Sequence, residues 1–121
     1  MEVVSSRQIG GGAGVGAMPG ELYAWDEAKR AANIAKHGID FSDALLLDRS
    51  NAVIQADQRL DYGEERFVAT GPIRGRLHVL VYARRVDAAA GRNVIRVISL
   101  RKANKRERLI YEEAMADRTD Q

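Results

Sequence analysis

The chain has 121 residues, 45% hydrophobic and 30% charged, with a net charge of +2 and no cysteine. That length suits one domain around a modest core. The composition excludes disulfides, thiolate chemistry and cysteine-based zinc sites, and no apolar run approaches the length of a membrane span.

The small net charge hides an asymmetry. Residues 21–73 carry ten acids and six bases, whereas residues 74–108 carry eleven bases, nine of them arginine, and two acids. Arginine suits planar, bidentate contact with phosphate, so the basic stretch points to an anionic partner such as nucleic acid. The alternative is that paired strands spread these charges over two faces, where nearby acids neutralise them.

Residues 1–20, "MEVVSSRQIGGGAGVGAMPG", are Gly-rich and carry one acid and one base. They read as a flexible extension ahead of a domain spanning 21–121. Glu2 and the glycines argue against a signal peptide, and Met18 is a candidate natural start. Gly12–Ala17 nominally matches G-x-G-x-x-A, but Pro19-Gly20 follows where a dinucleotide-binding motif needs a helix.

Leu22–Trp25 reads as a short strand. Asp26 is a good N-cap for a helix through Ala28, Ala31, Ala32 and Ala35 to Lys36, with Ile34 on its apolar stripe and Gly38 at its end. Phe41–Leu47 reads as a second, shorter helix, capped by Asp40 or Ser42. Ala52–Ala56 is a possible strand, and Arg66–Thr70, Leu77–Arg84 and Asn93–Leu100 are three better ones. Arg74-Gly75-Arg76 makes a hairpin turn and "VDAAAGRN" links the next pair. Asn104 and Glu107 approximate a capping box for a final helix that turns Leu109, Ile110 and Ala114 inward. The expected fold is α+β: a small antiparallel sheet of three to four strands, with two N-terminal helices and one C-terminal helix packed on it.

Strand alternation groups the side chains. In "LHVLVYARR", His78, Leu80, Tyr82 and Arg84 share a face. In "NVIRVISLR", Ile95, Val97, Ser99 and Arg101 share one, opposite Val94, Arg96, Ile98 and Leu100. Basic groups beside an aromatic at strand ends suit single-stranded nucleic acid.

No metal-ligand constellation is evident. His37 and His78 are the only histidines and neither has a partner at ligand spacing. Asp61, Glu64 and Glu65 fit either a divalent ion or a solvated acidic loop. The chemistry these residues permit is metal-free RNA cleavage, in which the RNA's own 2′-OH attacks the adjacent phosphate. Such a site needs a base, an acid and positive charge for the phosphorane. Glu65, His37, Lys36 or Tyr82 can serve the first two roles and arginines the third. Each also has a plain structural role. Lys36 and His37 complement a helix C-terminus, worth roughly 0.3–1 kcal/mol; Glu65 pairs with an arginine; Tyr82 fills a half-buried strand position.

"WDEAKRAANIAKHGIDFSDAL" (25–45), "GEERFVATG" (63–71), "VYARR" (81–85) and "IRVISLRKANKRERLIYEE" (95–113) together resemble the BrnT family of bacterial toxins, small ribonucleases of type II toxin–antitoxin systems. The resemblance covers about residues 22 to 113. It implies a RelE-like fold, a cytoplasmic endoribonuclease that stops translation without metal or cofactor, and a cognate BrnA-like ribbon-helix-helix antitoxin. That antitoxin would form a 2:2 heterotetramer with the toxin and bind promoter DNA; no membrane is involved. By position, Lys36 and His37 match the family's Lys-His pair, and Glu65 and Arg66 its Glu-Arg pair. Tyr82, Arg85, Arg101 and Lys102 fall in its strand and strand-end motifs. The resemblance implies Arg66, Arg85 and Arg101 for phosphate and transition-state charge and Glu65 or Lys36 for proton transfer; Arg84 beside Tyr82, with Lys102 and Lys105 past the end of the last strand, are the RNA-binding candidates of the basic stretch. His37 is alternatively a structural group at the helix end. Two departures stand out. "DRSNAV" lacks the proline the family often has after its second helix, and "YARR" has Ala83 where a hydroxyl residue is common. Alternation also puts Arg84, not Arg85, beside Tyr82. The alternative function is a non-catalytic RNA- or partner-binding module of the same fold.

Overall fold

A computed structural model describes residues 13–18, 21–57, 64–89 and 91–119. The order is β1 (Ala13–Met18), β2 (Glu21–Asp26), α1 (Glu27–His37), two 3-10 turns (Phe41–Leu46 and Arg49–Asn51), β3 (Val53–Ala56), β4 (Glu65–Ile73), β5 (Arg76–Asp87), β6 (Arg92–Lys102) and α2 (Lys105–Thr119). All strands join one sheet in the order β1-β2-β6-β5-β4-β3.

The α+β class holds, but the sheet has six strands rather than three or four, and it is mixed. β2 runs parallel to β6, while every other pair is antiparallel. α1 and the 3-10 turns lie between β2 and the later strands, giving the length of chain that a parallel crossover requires. Ala13–Met18, which composition placed in the extension, pairs with Glu21–Asp26. Glycine and alanine are weak strand formers, so this strand rests on the hydrogen-bonding edge of β2. The nominal G-x-G-x-x-A stretch is therefore strand from Ala13 onward. Residues 1–12 lie outside the described residues.

Helix α1 starts and stops where its caps dictate. The Asp26 carboxylate accepts a hydrogen bond from the Lys29 amide at 3.0 Å. Gly38, at φ 72°, donates its amide to Ile34 O at 2.8 Å. Its buried residue, however, is polar. The Asn33 amide donates to Ile39 O (3.0 Å) and Leu100 O (2.7 Å) and accepts from the Leu100 amide (3.3 Å). Ile34, expected on the apolar stripe, is exposed, as are Ala28, Ala31, Ala32 and Ala35.

The expected second helix is a 3-10 turn, Phe41–Leu46. Asp40 caps the Ser42 amide at its start, and the Asp48 amide is tied to Pro72 O at its end. Phe41 and Ala44 drop into the core from this turn.

Register is altered by a bulge. Val81 pairs with Ser99 and Tyr82 with Val97, which leaves Ile98 as an additional residue in β6. A bulge shifts the alternation by one. Ile95, Val97 and Leu100 consequently all enter the core beside Leu80, Tyr82, Phe41 and Tyr23. Strict alternation had placed Leu100 opposite Val97, with Arg101 on Val97's side.

The turn Arg74-Gly75 has positive φ at both residues (52° and 79°), the geometry that suits a two-residue hairpin. In α2, Asn104 and Glu107 form the reciprocal capping box. Its half-buried face is Glu107, Tyr111, Ala114 and Met115, whereas Leu109 and Ile110, expected inward, are more than half exposed. The orientation is set by polar anchors. The Tyr111 hydroxyl donates to Asn51 O and Arg118 donates to Ala52 O at 2.8 Å, fixing the helix beside β3 and β4.

Candidate active site

Directly paired residues in a sheet project to the same face. Glu65 lies opposite Arg84, Arg84 opposite Ile95, and Ile95 opposite Tyr23; Phe67 lies opposite Tyr82, and Tyr82 opposite Val97. Four strands thus bring Glu65, Arg84, Phe67, Tyr82 and Tyr23 to one end of the core-side face.

Their contacts are continuous. Glu65 accepts from Arg84 Nη2 at 2.8 Å and from Nε at 3.3 Å. The Arg84 guanidinium lies 4.9 Å from the Phe67 ring centre. Phe67 stacks on Tyr82 at 5.4 Å between centres with 25° between planes. Beyond them Arg49, from the second 3-10 turn, lies 5.9 Å from the centre of Tyr82 and 5.7 Å from that of Tyr23. Arg49 Nη1 donates to Glu21 Oε2 at 2.6 Å.

This arrangement sets protonation. Burial raises the Tyr82 phenol above its ordinary value, against the opposing fields of Arg49 and Arg84. Burial likewise raises Tyr23, which is opposed first by Arg49. Both therefore stay protonated at neutral pH, so Tyr82 is suited to donate a proton and not to act as a phenolate base. Burial works against the Arg49 charge, but the hydrogen bond to Glu21 and the field of Tyr23 outweigh it and hold its pKa above the ordinary value. Glu65 and Arg84 are reachable from solvent, with side chains 66% and 40% exposed.

The remaining site residues expected from sequence lie elsewhere. Arg66 and Arg85 project from the opposite face, where Arg66 and Arg96 flank buried Ala83 in one cross-strand row. Glu64 pairs with Arg96 on that side. The basic stretch therefore does spread over two faces, although both arginine groups meet the same end of the sheet. Glu64 and Glu65 pair with different arginines, and Asp61 lies outside the described residues. Among the described residues no group of three or more His, Asp or Glu side chains is placed to hold a metal ion. Lys36 is exposed and His37 half-buried in the last turn of α1, beside the C-terminal carbonyls. Arg101 is held by Glu107 through both Nη atoms at 2.8 and 2.7 Å. Lys102, at the end of β6 opposite His78, and Lys105, in the first turn of α2, are exposed.

Sequence reasoning missed Arg49, Glu21, Tyr23 and Phe67. One signal was available for Arg49: it stands in "DRSNAV", the loop that departs from the family pattern by lacking proline. Phe67 was detectable from alternation with Glu65.

Among the described residues no helix is long and apolar enough to cross a membrane. No curated protein matches the sequence. A family model described as the ribonuclease toxin BrnT of type II toxin–antitoxin systems matches residues 25–107. That span takes in α1 with its caps, the Glu65–Arg84 pair, the Phe67–Tyr82 stack and Arg101 with Glu107. The chain belongs to the BrnT family, ribonuclease toxins whose substrate is RNA and whose partner is an antitoxin.

Proposed function

We propose that this protein is a metal-independent endoribonuclease toxin whose reaction is centred on Glu65, Arg84 and Tyr82. The observation that carries the reading is the exposed Glu65–Arg84 pair at the rim of the Phe67–Tyr82 stack. RNA supplies its own nucleophile. Glu65 takes the proton from the 2′-OH, and the 2′-oxygen attacks the adjacent phosphorus. Arg84 stabilises the charge that develops on the phosphorane oxygens. The P–O5′ bond breaks to leave a 2′,3′-cyclic phosphate, and the 5′-oxygen takes the proton of Tyr82, whose raised pKa keeps the phenol protonated although the residue is only 5% exposed. Phe67, partly buried with Tyr82 stacked on it and the Arg84 guanidinium over it, holds that guanidinium in place beside Glu65. Arg66, Arg85 and Arg96 on the other face extend the positive surface around the same end of the sheet, and Lys102 and Lys105 add charge at the start of α2.

Family membership supports an antitoxin partner. We infer that this partner is a BrnA-like ribbon-helix-helix protein, that it forms a 2:2 complex, and that the pair acts in the cytoplasm and binds promoter DNA through the antitoxin.

The test is cleavage of an RNA oligonucleotide by the purified full chain in the presence of a chelator, with product ends identified by mass. Wild type should yield cyclic-phosphate ends with or without chelator, and Glu65→Gln should lower kcat by about 10²–10⁴-fold. Full activity in Glu65→Gln overturns the assignment of Glu65 as the base. A folded wild type that binds RNA or an antitoxin without cleaving RNA would instead be a binding module.

A further inference from the structure

The second 3-10 turn contributes a group that the reaction above does not use. Arg49 Nη1 is satisfied by Glu21, but Nη2 is buried and has no hydrogen-bond partner among the described residues. A purely space-filling role at this position would be met by methionine or leucine, with no charge to desolvate. What the guanidinium finds instead is two ring faces, Tyr23 and Tyr82, at 5.7 and 5.9 Å. The ring quadrupole attracts a cation placed over it, and with the side chain as a whole 33% exposed it is Nη2 that is shut away from water. Every other member of the stack belongs to the sheet, so Arg49 is the one bolt driven into it from outside. Contacts run without a gap from Glu21 through Arg49, Tyr82, Phe67 and Arg84 to Glu65.

We propose that Arg49 is a positioning residue of the RNA site, clamping Tyr82 against Phe67 so that its phenol and the Glu65–Arg84 pair meet the scissile phosphate at a fixed spacing. This rests on the ribonuclease reading above. The charged and titratable groups facing Tyr82 are Arg49 from the 3-10 turn, Glu21 and Tyr23 from β2, and Arg84 from its own strand. Taking away Arg49 leaves Glu21 and Tyr23 beside the phenol with their nearest cation gone. The ring then loses its position and its ionisation moves to higher pH together.

Two variants of the full chain, Arg49→Met and Arg49→Lys, test this once circular dichroism shows that they fold. Two readouts are taken: kcat and KM on an RNA oligonucleotide, and the pH midpoints of tyrosinate absorbance. Arg49→Met should lower kcat by about 10- to 100-fold, the scale of a misplaced reacting group, with KM within about threefold of wild type. It should also raise the midpoint of the buried tyrosines. Arg49→Lys should restore the midpoint, since the charge returns, but not kcat, since the planar fork does not. An unchanged kcat overturns the proposal. So does a rise in KM accompanied by a salt-dependence slope reduced by about one, the mark of a direct phosphate contact. If Arg49→Met does not fold, Arg49→Lys alone decides through its kcat. If wild type cleaves no RNA, the ribonuclease reading fails separately, and an unmoved tyrosine midpoint in Arg49→Met then overturns the clamp itself.

Discussion

Arg101 at the end of β6 and Glu107 in the first turn of α2 close on each other through two nitrogens and two oxygens, at 2.8 and 2.7 Å. An arginine that the family pattern points toward RNA is thus engaged in holding a helix to the sheet. Glu107 also accepts from the Asn104 amide and returns its own amide to Asn104 Oδ1. The Glu107→Ala variant loses both the pair and the cap, and urea unfolding should show a loss of about 1–2 kcal/mol. The Arg101→Ala variant should lose about 1 kcal/mol or less, because the pair is partly screened by solvent. It should also retain far more RNA cleavage than Glu65→Gln. Abolished cleavage at unchanged stability would place Arg101 on the RNA instead.

Arg66 and Arg85 project from the face opposite Tyr82. Alanine at either position should weaken RNA binding and lower the salt-dependence slope by about one, leaving kcat at saturating RNA within about threefold. Filter binding at several salt concentrations, with kcat measured in parallel, checks this. A large fall in kcat with unchanged binding would place the reaction on the opposite face.

Asn33 stitches α1 to β6 from a buried position. The Asn33→Ala variant leaves the Leu100 amide and two carbonyls without partners in a site closed to water. Each orphaned group costs about 1–3 kcal/mol, so thermal and urea unfolding should show a loss of at least about 2 kcal/mol. A loss under about 0.5 kcal/mol would mean that water replaces the amide.

Acid should expose the Asp40–Arg30 link. The Arg30 guanidinium, with help from the Ser42 amide, brings the Asp40 carboxyl from 3.8 down to about 2. A carboxyl lowered in the folded state contributes stability that is fully present above its unfolded value. That contribution fades as pH falls from about 4 toward the folded value. Glu107 is lowered in the same direction by Arg101 and adds to the same limb. Thermal midpoints across this range should therefore fall less steeply in Asp40→Asn than in wild type. An equal slope would show that the link contributes nothing.

Local chemistry determined much of this protein from sequence alone. Asp26 and Gly38 bound the first helix, Asn104 and Glu107 start the last one, and Arg74-Gly75 turns the hairpin, because each acts on backbone groups within a few residues. Period-two alternation along β5 was enough to place Tyr82 beside Arg84 and apart from Arg85. Contacts made by residues distant in the chain were settled only by the fold. The Gly-rich strand β1 has no propensity of its own and depends on the edge of β2. The bulge at Ile98 reverses the phase of β6, and nothing in "NVIRVISLR" marks it, since isoleucine fits either face. Arg49 looked like a loop residue because its partners, Glu21, Tyr23 and Tyr82, come from two separate strands. Which face an arginine serves is a matter of register, and register follows from how the whole sheet buries its apolar side. A single segment does not carry that information, so the division between the Arg84 face and the Arg66–Arg96 face belongs to the tertiary structure.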